Sequence, residues 1–141
     1  MISKKLYYLL SLTWGLPLNL VGGIVSLILL VIGYRPKRFG WCRYFEVGSG
    51  WGGFECGLIF VCAKGSTNNL KAHEFGHSIQ NCFFGFLMPF IISIPSAIRY
   101  WYRELKIKNG EKNFPSYDSI WFEGQATKLG LKYINEIKKQ K

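Results

Sequence analysis

Two long stretches of this chain carry no charged side chain: residues 6–34 and residues 78–98. About 20 consecutive apolar residues suffice to cross a hydrocarbon core roughly 30 Å thick. The first run exceeds that length and the second meets it. The pattern predicts a mainly α membrane protein. The first run reads as an N-terminal transmembrane helix. Gly15, Pro17, Asn19 and Gly22-Gly23 interrupt its first half, since proline kinks or breaks a helix even inside a bilayer. It is either one kinked span or a short re-entrant piece followed by a helix. Residues 1–34 are expected to be a retained anchor. The apolar stretch after Lys4 and Lys5 is too long for a cleaved signal, and no small-x-small site closes it.

Between the two runs the pattern changes. Residues 35–43 form a basic connector containing Pro36. Val47-Gly48-Ser49-Gly50-Trp51-Gly52-Gly53 is rich in turn formers, and residues 56–62 form a short apolar run with strand character. Together they predict a small β-hairpin. Ser66-Thr67-Asn68-Asn69 supplies N-cap residues for a helix that runs into the second apolar stretch, where Pro89 and Pro95 interrupt it. Residues 99–112 read as a polar, basic connector. Ser116 and Asp118 are cap candidates for a last helix over about 119–138.

Composition sharpens the membrane reading. Only 18% of the 141 residues are charged, against about 25% in ordinary soluble domains. The net charge is +10, and the basic residues sit beside the apolar runs: Lys4 and Lys5, then Arg35, Lys37, Arg38 and Arg43, then Arg99, Arg103, Lys106 and Lys108. That is the distribution of cytoplasmic flanks on anionic lipid headgroups. No nucleic-acid motif accompanies it, so nucleic acid is not an expected partner. Cys42, Cys56, Cys62 and Cys82 form no CxxC pair. A reduced, cytoplasm-facing chain is a simpler reading than a Cys56–Cys62 disulfide.

The chemistry centres on His73-Glu74-Phe75-Gly76-His77. Two histidines four residues apart lie on one helical face, where both imidazoles can hold one Zn²⁺ at about 2.0–2.1 Å. Glu74 then stands beside the open coordination position, where it can act as general base on a water molecule. These are the only histidines in the chain. His73, His77, Gln80 and Asn81 form a polar stripe; Ala72, Phe75, Gly76, Ile79 and Phe83 form an apolar one.

A catalytic zinc site normally has three protein ligands, so a carboxylate must be the third. Glu104, Glu111 and Glu136 sit among lysines or arginines and read as solvated, and Asp118 is a further candidate. Glu123 differs, lying in Ile120-Trp121-Phe122-Glu123-Gly124-Gln125-Ala126, a bulky and otherwise uncharged stretch. A carboxylate buried there needs a partner, and a metal would be one. Gly124 and Ala126 would let its helix approach another closely. The alternative is an exposed first-turn glutamate stabilised by the helix dipole.

A motif helix followed by a Glu-bearing helix resembles the gluzincin metallopeptidases. The resemblance implies a zincin-like active-site helix, a C-terminal ligand helix, and an Asp a few residues after the ligand Glu that orients a motif His. The chain also resembles small bacterial membrane proteins that combine HE-aromatic-GH, an IPS segment (here Ile94-Pro95-Ser96) and a downstream E-x-x-A (here Glu123-Gly124-Gln125-Ala126), over roughly residues 45–130. It departs where Asp would follow Ala126, since Thr127 stands there. By the same resemblance, the strand of residues 57–62 either pairs with peptide substrate or packs over the site. Tyr117, Tyr100 and Arg99 are candidates for oxyanion stabilisation or for membrane-interface anchoring.

His77 and Glu123 must meet on one ion, yet residues 78–98 lie between them. A single crossing would separate them by a bilayer. Pro89 and Pro95 therefore predict a re-entrant apolar hairpin that keeps the whole site on the cytoplasmic face. The expected protein has a membrane anchor, residues 1–34, and a metallohydrolase-like domain, residues 35–141. It would be a zinc-dependent integral membrane endopeptidase, in a bacterial cytoplasmic membrane by the resemblance, acting on peptide or membrane-protein substrate. The alternative is a non-catalytic membrane scaffold with a degenerate zincin-like helix.

Overall fold

The first apolar run folds as two helices, not one. In the computed structural model, which describes residues 1–140, α1 (Lys4–Leu12) and α2 (Leu16–Ile32) are bent by 87°. The break falls where Gly15 precedes Pro17, and polar side chains satisfy backbone groups freed there. Asn19 Nδ2 donates to the carbonyls of Ser11 (2.7 Å) and Gly15 (3.0 Å), and its Oδ1 accepts from the Leu58 N–H (2.8 Å). Asn81 Nδ2 donates to the Gly15 carbonyl at 3.2 Å. The interruption expected in this run is present, and the bent pair fits either a broken span or a re-entrant piece followed by a helix. No single helix among the described residues is long and apolar enough to cross a membrane.

The expected hairpin is part of a larger sheet. Strands β1 (Lys37–Phe39), β2 (Cys42–Glu46), β3 (Gly53–Cys56) and β4 (Ile59–Cys62) lie in the order β1-β2-β4-β3. β2 and β4 run parallel; the other pairs are antiparallel. β3 and β4 are the hairpin, and the basic connector contributes β1. The strand expected over residues 57–62 is interior rather than edge. Phe60, Val61 and Cys62 are all buried, and such an unbroken apolar run is the signature of a strand covered on both faces. The edges are β1 and β3, and β3 is the one that lines a large cleft.

Helix α3 (Asn68–Phe84) starts at Thr67, whose Oγ1 accepts from the Leu70 N–H at 3.2 Å. Every residue from Ala72 to Cys82 is buried, the polar stripe included, whereas Phe83 is exposed. The second apolar run then turns at Met88, between a 3₁₀ turn (Gly85–Leu87) and a π turn (Pro89–Ser93), and continues as α4 (Ile94–Lys108). The two arms are bent by 116°. Pro95 does not interrupt this second arm. It directly follows the π turn, whose shifted bonding (Ile94 N–H to the Pro89 carbonyl) accommodates a residue without an N–H at the start of α4. The expected connector over residues 99–112 is therefore mostly helix.

A 3₁₀ turn (Tyr117–Ser119) leads into α5 (Trp121–Lys139), which packs along α3. Neither Ser116 nor Asp118 caps α5; Ile120 occupies the cap position without a side-chain bond. Tyr7, Tyr44, Phe60, Phe75, Ile79 and Tyr133 anchor the main core. Leu18, Met88, Ile92 and Phe122 form a smaller one under the α3–α4 bend. All four cysteines are free and buried.

Candidate metal centre

The site is set by how closely α3 and α5 cross. A Cβ on Gly76 would collide with the Ala126 carbonyl, and one on Gly130 with the Ala72 carbonyl. Ala72 and Gly76 on α3 thus face Ala126 and Gly130 on α5, each pair four residues apart and on one helical face. Ala126 makes the close approach expected of it. Gly124 instead leaves room for the Asp118 carbonyl.

This crossing brings Glu123 to the motif histidines. Glu123 Oε2 lies 3.0 Å from His73 Nε2 and 3.1 Å from His77 Nε2, and the two Nε2 atoms are 3.1 Å apart. Glu123 is fully buried, and its Oε1 has no hydrogen-bond partner. Burial acts to raise its carboxyl, but hydrogen bonding to His73 and then His77 outweighs it and holds the group well below the usual carboxylate range. Of the other carboxylates weighed, Glu111 pairs with Lys106 and Glu136 with Lys139. Glu104 lies along the wall of the adjoining cleft.

The far side of each imidazole fixes the proton positions. Gln80 Nε2 donates to the Phe122 carbonyl (2.8 Å) and to Gln125 Oε1 (2.9 Å), so Gln80 Oε1 is the acceptor facing His77 Nδ1 at 2.8 Å. Thr127 Oγ1 donates to Asp118 Oδ1 (3.1 Å) and therefore accepts from His73 Nδ1 at 2.8 Å. Both Nδ1 protons are committed outward. The two Nε2 atoms and Glu123 Oε2 then converge with their lone pairs on one small volume. Either one shared imidazole proton or one cation satisfies these three atoms, and the group has the geometry to hold a metal ion.

The donor set fits zinc. Three ligands about 2.0–2.1 Å from one tetrahedral ion stand about 3.3 Å apart, close to the triangle seen here. Outward bonds from both ligating imidazoles are what metal-bound histidines ordinarily make. Thr127 does not leave His73 unsupported, since it links the ring to Asp118. The Asp expected just after the ligand-bearing segment is absent; Asp118, which precedes Glu123, reaches His73 through the Thr127 hydroxyl instead. Thr127→Val is expected to weaken metal affinity about 10–100-fold while the fold persists. A chelator-competition titration measures this, and unchanged affinity would mean that His73 is oriented by other contacts.

Glu74 is buried beside the triad and lines a cleft of about 990 Å³. A Cβ on Gly53 would stand 2.8 Å from Glu74 Oε1, so the glycine at the start of β3 makes room for the carboxylate. The β3 edge forms one side of the cleft, α4 another, and Tyr117 and Asp118 a third. The Tyr117 ring lies 6.0 Å from the His73 ring, and its hydroxyl is 3.4 Å from Ser96 Oγ. Burial pushes the Tyr117 phenol up to about 12, which keeps it a donor. Tyr100 also lines the cleft. Arg99 faces elsewhere, donating to the carbonyls of Ser116 and Tyr117 and to Ser119 Oγ.

Sequence reasoning missed Thr127 with Asp118, Gln80 as the support of His77, Gly53, and the crossing glycines. The repeated small-x-x-x-Gly spacing at 72/76 and 126/130 was the signal for the last of these. Comparison of the chain with protein-family models, with curated proteins and with solved structures finds no match.

Proposed function

We propose that the chain is a membrane-embedded, zinc-dependent hydrolase that cuts peptide bonds near a bilayer surface, with His73, His77 and Glu123 as metal ligands and Glu74 as general base. The observation that carries this reading is the convergence of three buried side-chain atoms, His73 Nε2, His77 Nε2 and Glu123 Oε2, within 3.1 Å of one another. Zinc held there supplies Lewis acidity on the open side of the triad. Glu74 takes a proton from the attacking water at its carboxylate and returns it to the departing amine nitrogen. The Tyr117 hydroxyl is a donor for charge developing on the substrate carbonyl. The β3 edge offers unpaired backbone groups along the cleft, to which an extended peptide can add as a strand.

The bilayer part of the proposal rests on the two bent apolar helix pairs and on the apolar surface of α2. On α2, Ile24, Leu27, Val31 and Ile32 are each more than 60% exposed, a larger apolar display than soluble surfaces usually carry. The bend at Met88 would keep residues 78–98 on one face of the bilayer, which the basic flanks make the cytoplasmic one. The non-catalytic scaffold alternative rests on Thr127 standing where an orienting Asp is expected and on the lack of an evident transition-state stabiliser in the sequence; the Thr127–Asp118 bond weakens the first ground.

The direct test is elemental analysis of the detergent-purified protein. About one zinc per chain is expected, and it should be lost in His77→Ala and in Glu123→Ala. A metal-free protein after zinc-supplemented purification would overturn the proposal.

A further inference from the structure

Helix α4 has two distinct sides. One side lines the metal-site cleft through Ala97, Tyr100, Arg103, Glu104 and Ile107, and Trp101 stands at the cleft's rim. Arg99 and Arg103 hold the helix to the 115–119 segment; Arg103 donates to the Pro115 carbonyl and stacks over Phe114 and Tyr117. The other side has no partner. Ile94, Ile98, Trp101 and Leu105 recur at helical spacing and are 49%, 64%, 64% and 60% exposed. None of the fifteen residues of α4 is buried. Tyr102, also exposed, flanks the stripe, and Lys106 and Lys108 border it at the C-terminal end.

The charge around this stripe is one-sided. From Ile94 to Lys112 the chain carries five basic side chains against two acidic ones. An apolar stripe bordered by lysines and containing Trp and Tyr is the composition of a helix lying in a membrane interface, with its rings at the headgroup level. The stripe also continues an apolar surface. The residues just before α4, at the bend, include exposed Phe86, Leu87, Phe90 and Ile91, and α2 packs against that bend. A crossing helix would instead have to carry Arg99, Arg103 and Glu104 through hydrocarbon, at a cost of several kcal/mol.

We propose that α4 lies flat on a bilayer surface containing anionic lipid, seated through Ile94, Ile98, Trp101 and Leu105, so that the metal-site cleft on its other side opens along the headgroup layer. The use of that cleft rests on the hydrolase reading; the lipid contact of α4 does not.

The test uses the full-length protein in vesicles of phosphatidylcholine mixed with phosphatidylglycerol, and in phosphatidylcholine alone. Single cysteines from Ile98→Cys, Trp101→Cys, Leu105→Cys and Glu104→Cys are spin-labelled; the four native thiols are buried and stay unlabelled. In the mixed vesicles, oxygen should relax the labels at 98, 101 and 105 severalfold more than a water-soluble nickel chelate does, and the order should reverse at 104. In phosphatidylcholine alone the three labels should lie measurably shallower. Lipid exposure at all four positions would overturn the proposal in favour of a crossing helix. Aqueous exposure at all four would overturn it outright, and spin–spin broadening between copies would assign the stripe to a second copy of the chain. Equal depth in both vesicles would overturn the assignment to anionic lipid. The same depths are expected in His77→Ala protein, so a missing zinc site and a misplaced α4 give separate results.

Discussion

On the proposed hydrolase reading, Glu74→Gln is expected to bind zinc as the wild type does and to lose peptide hydrolysis. The three converging ligand atoms come from His73, His77 and Glu123, so the amide replacement leaves the metal set intact. Glutamine fits the space that Gly53 leaves beside β3, and the fold should be undisturbed. What disappears is a base next to the open side of the triad. General acid–base catalysis contributes about 10²–10⁴-fold, and a fall of at least that size is expected in turnover of an identified peptide substrate. Zinc content and cleavage must be measured on the same preparation, because loss of both would point to a damaged site. Full activity in Glu74→Gln would sink the assigned mechanism even if the metal were present.

The second large effect is expected from Gly130→Val. In an open helix, replacing glycine by a residue with a side chain helps or is nearly neutral, since glycine is about 1 kcal/mol worse than alanine. Here the sign should reverse. The added Cβ meets the Ala72 carbonyl, a backbone atom that cannot rotate away, so α3 and α5 must move apart. Overpacking of this kind costs about 1–3 kcal/mol, and the branched side chain makes the upper end the expected result. Glu123 lies two turns upstream of Gly130 on α5, so the same displacement draws its carboxylate from the histidines. The variant should melt earlier and bind zinc more weakly, whereas Gly110→Ala, in open space, should leave zinc affinity unchanged. A Gly130→Val protein with wild-type zinc content and melting temperature would mean that the crossing does not hold the site together.

These two predictions separate what the sequence specifies from what packing adds. The His73/His77 spacing follows from helical periodicity and needs no tertiary information. Glu123 was legible because a lone carboxylate amid Trp121 and Phe122 demands a partner. Thr67 was legible as part of a cap, and the breaks near Gly15–Pro17 and at Pro89 follow from backbone chemistry carried by the residues themselves. Each of these signals acts over a few residues.

The tertiary structure decided what depends on distant partners. Whether residues 59–62 form an edge or an interior strand depends on β2, which pairs with them from across the sheet. The edge beside the cleft fell to β3, whose short, glycine-containing sequence gave no sign of it. Thr127 gained its role because the turn before α5 carries Asp118 back to it, while its other partner, His73, is 54 residues away. The residues expected as a polar connector became α4, because the π turn before Pro95 accommodates it. Local chemistry thus determined the motif, the carboxylate that needs a partner and the points where helices break. Only packing, which selects partners by shape from all parts of the chain, determined which edge meets the cleft, what orients the histidines, and how closely two helices must cross to bring Glu123 to them.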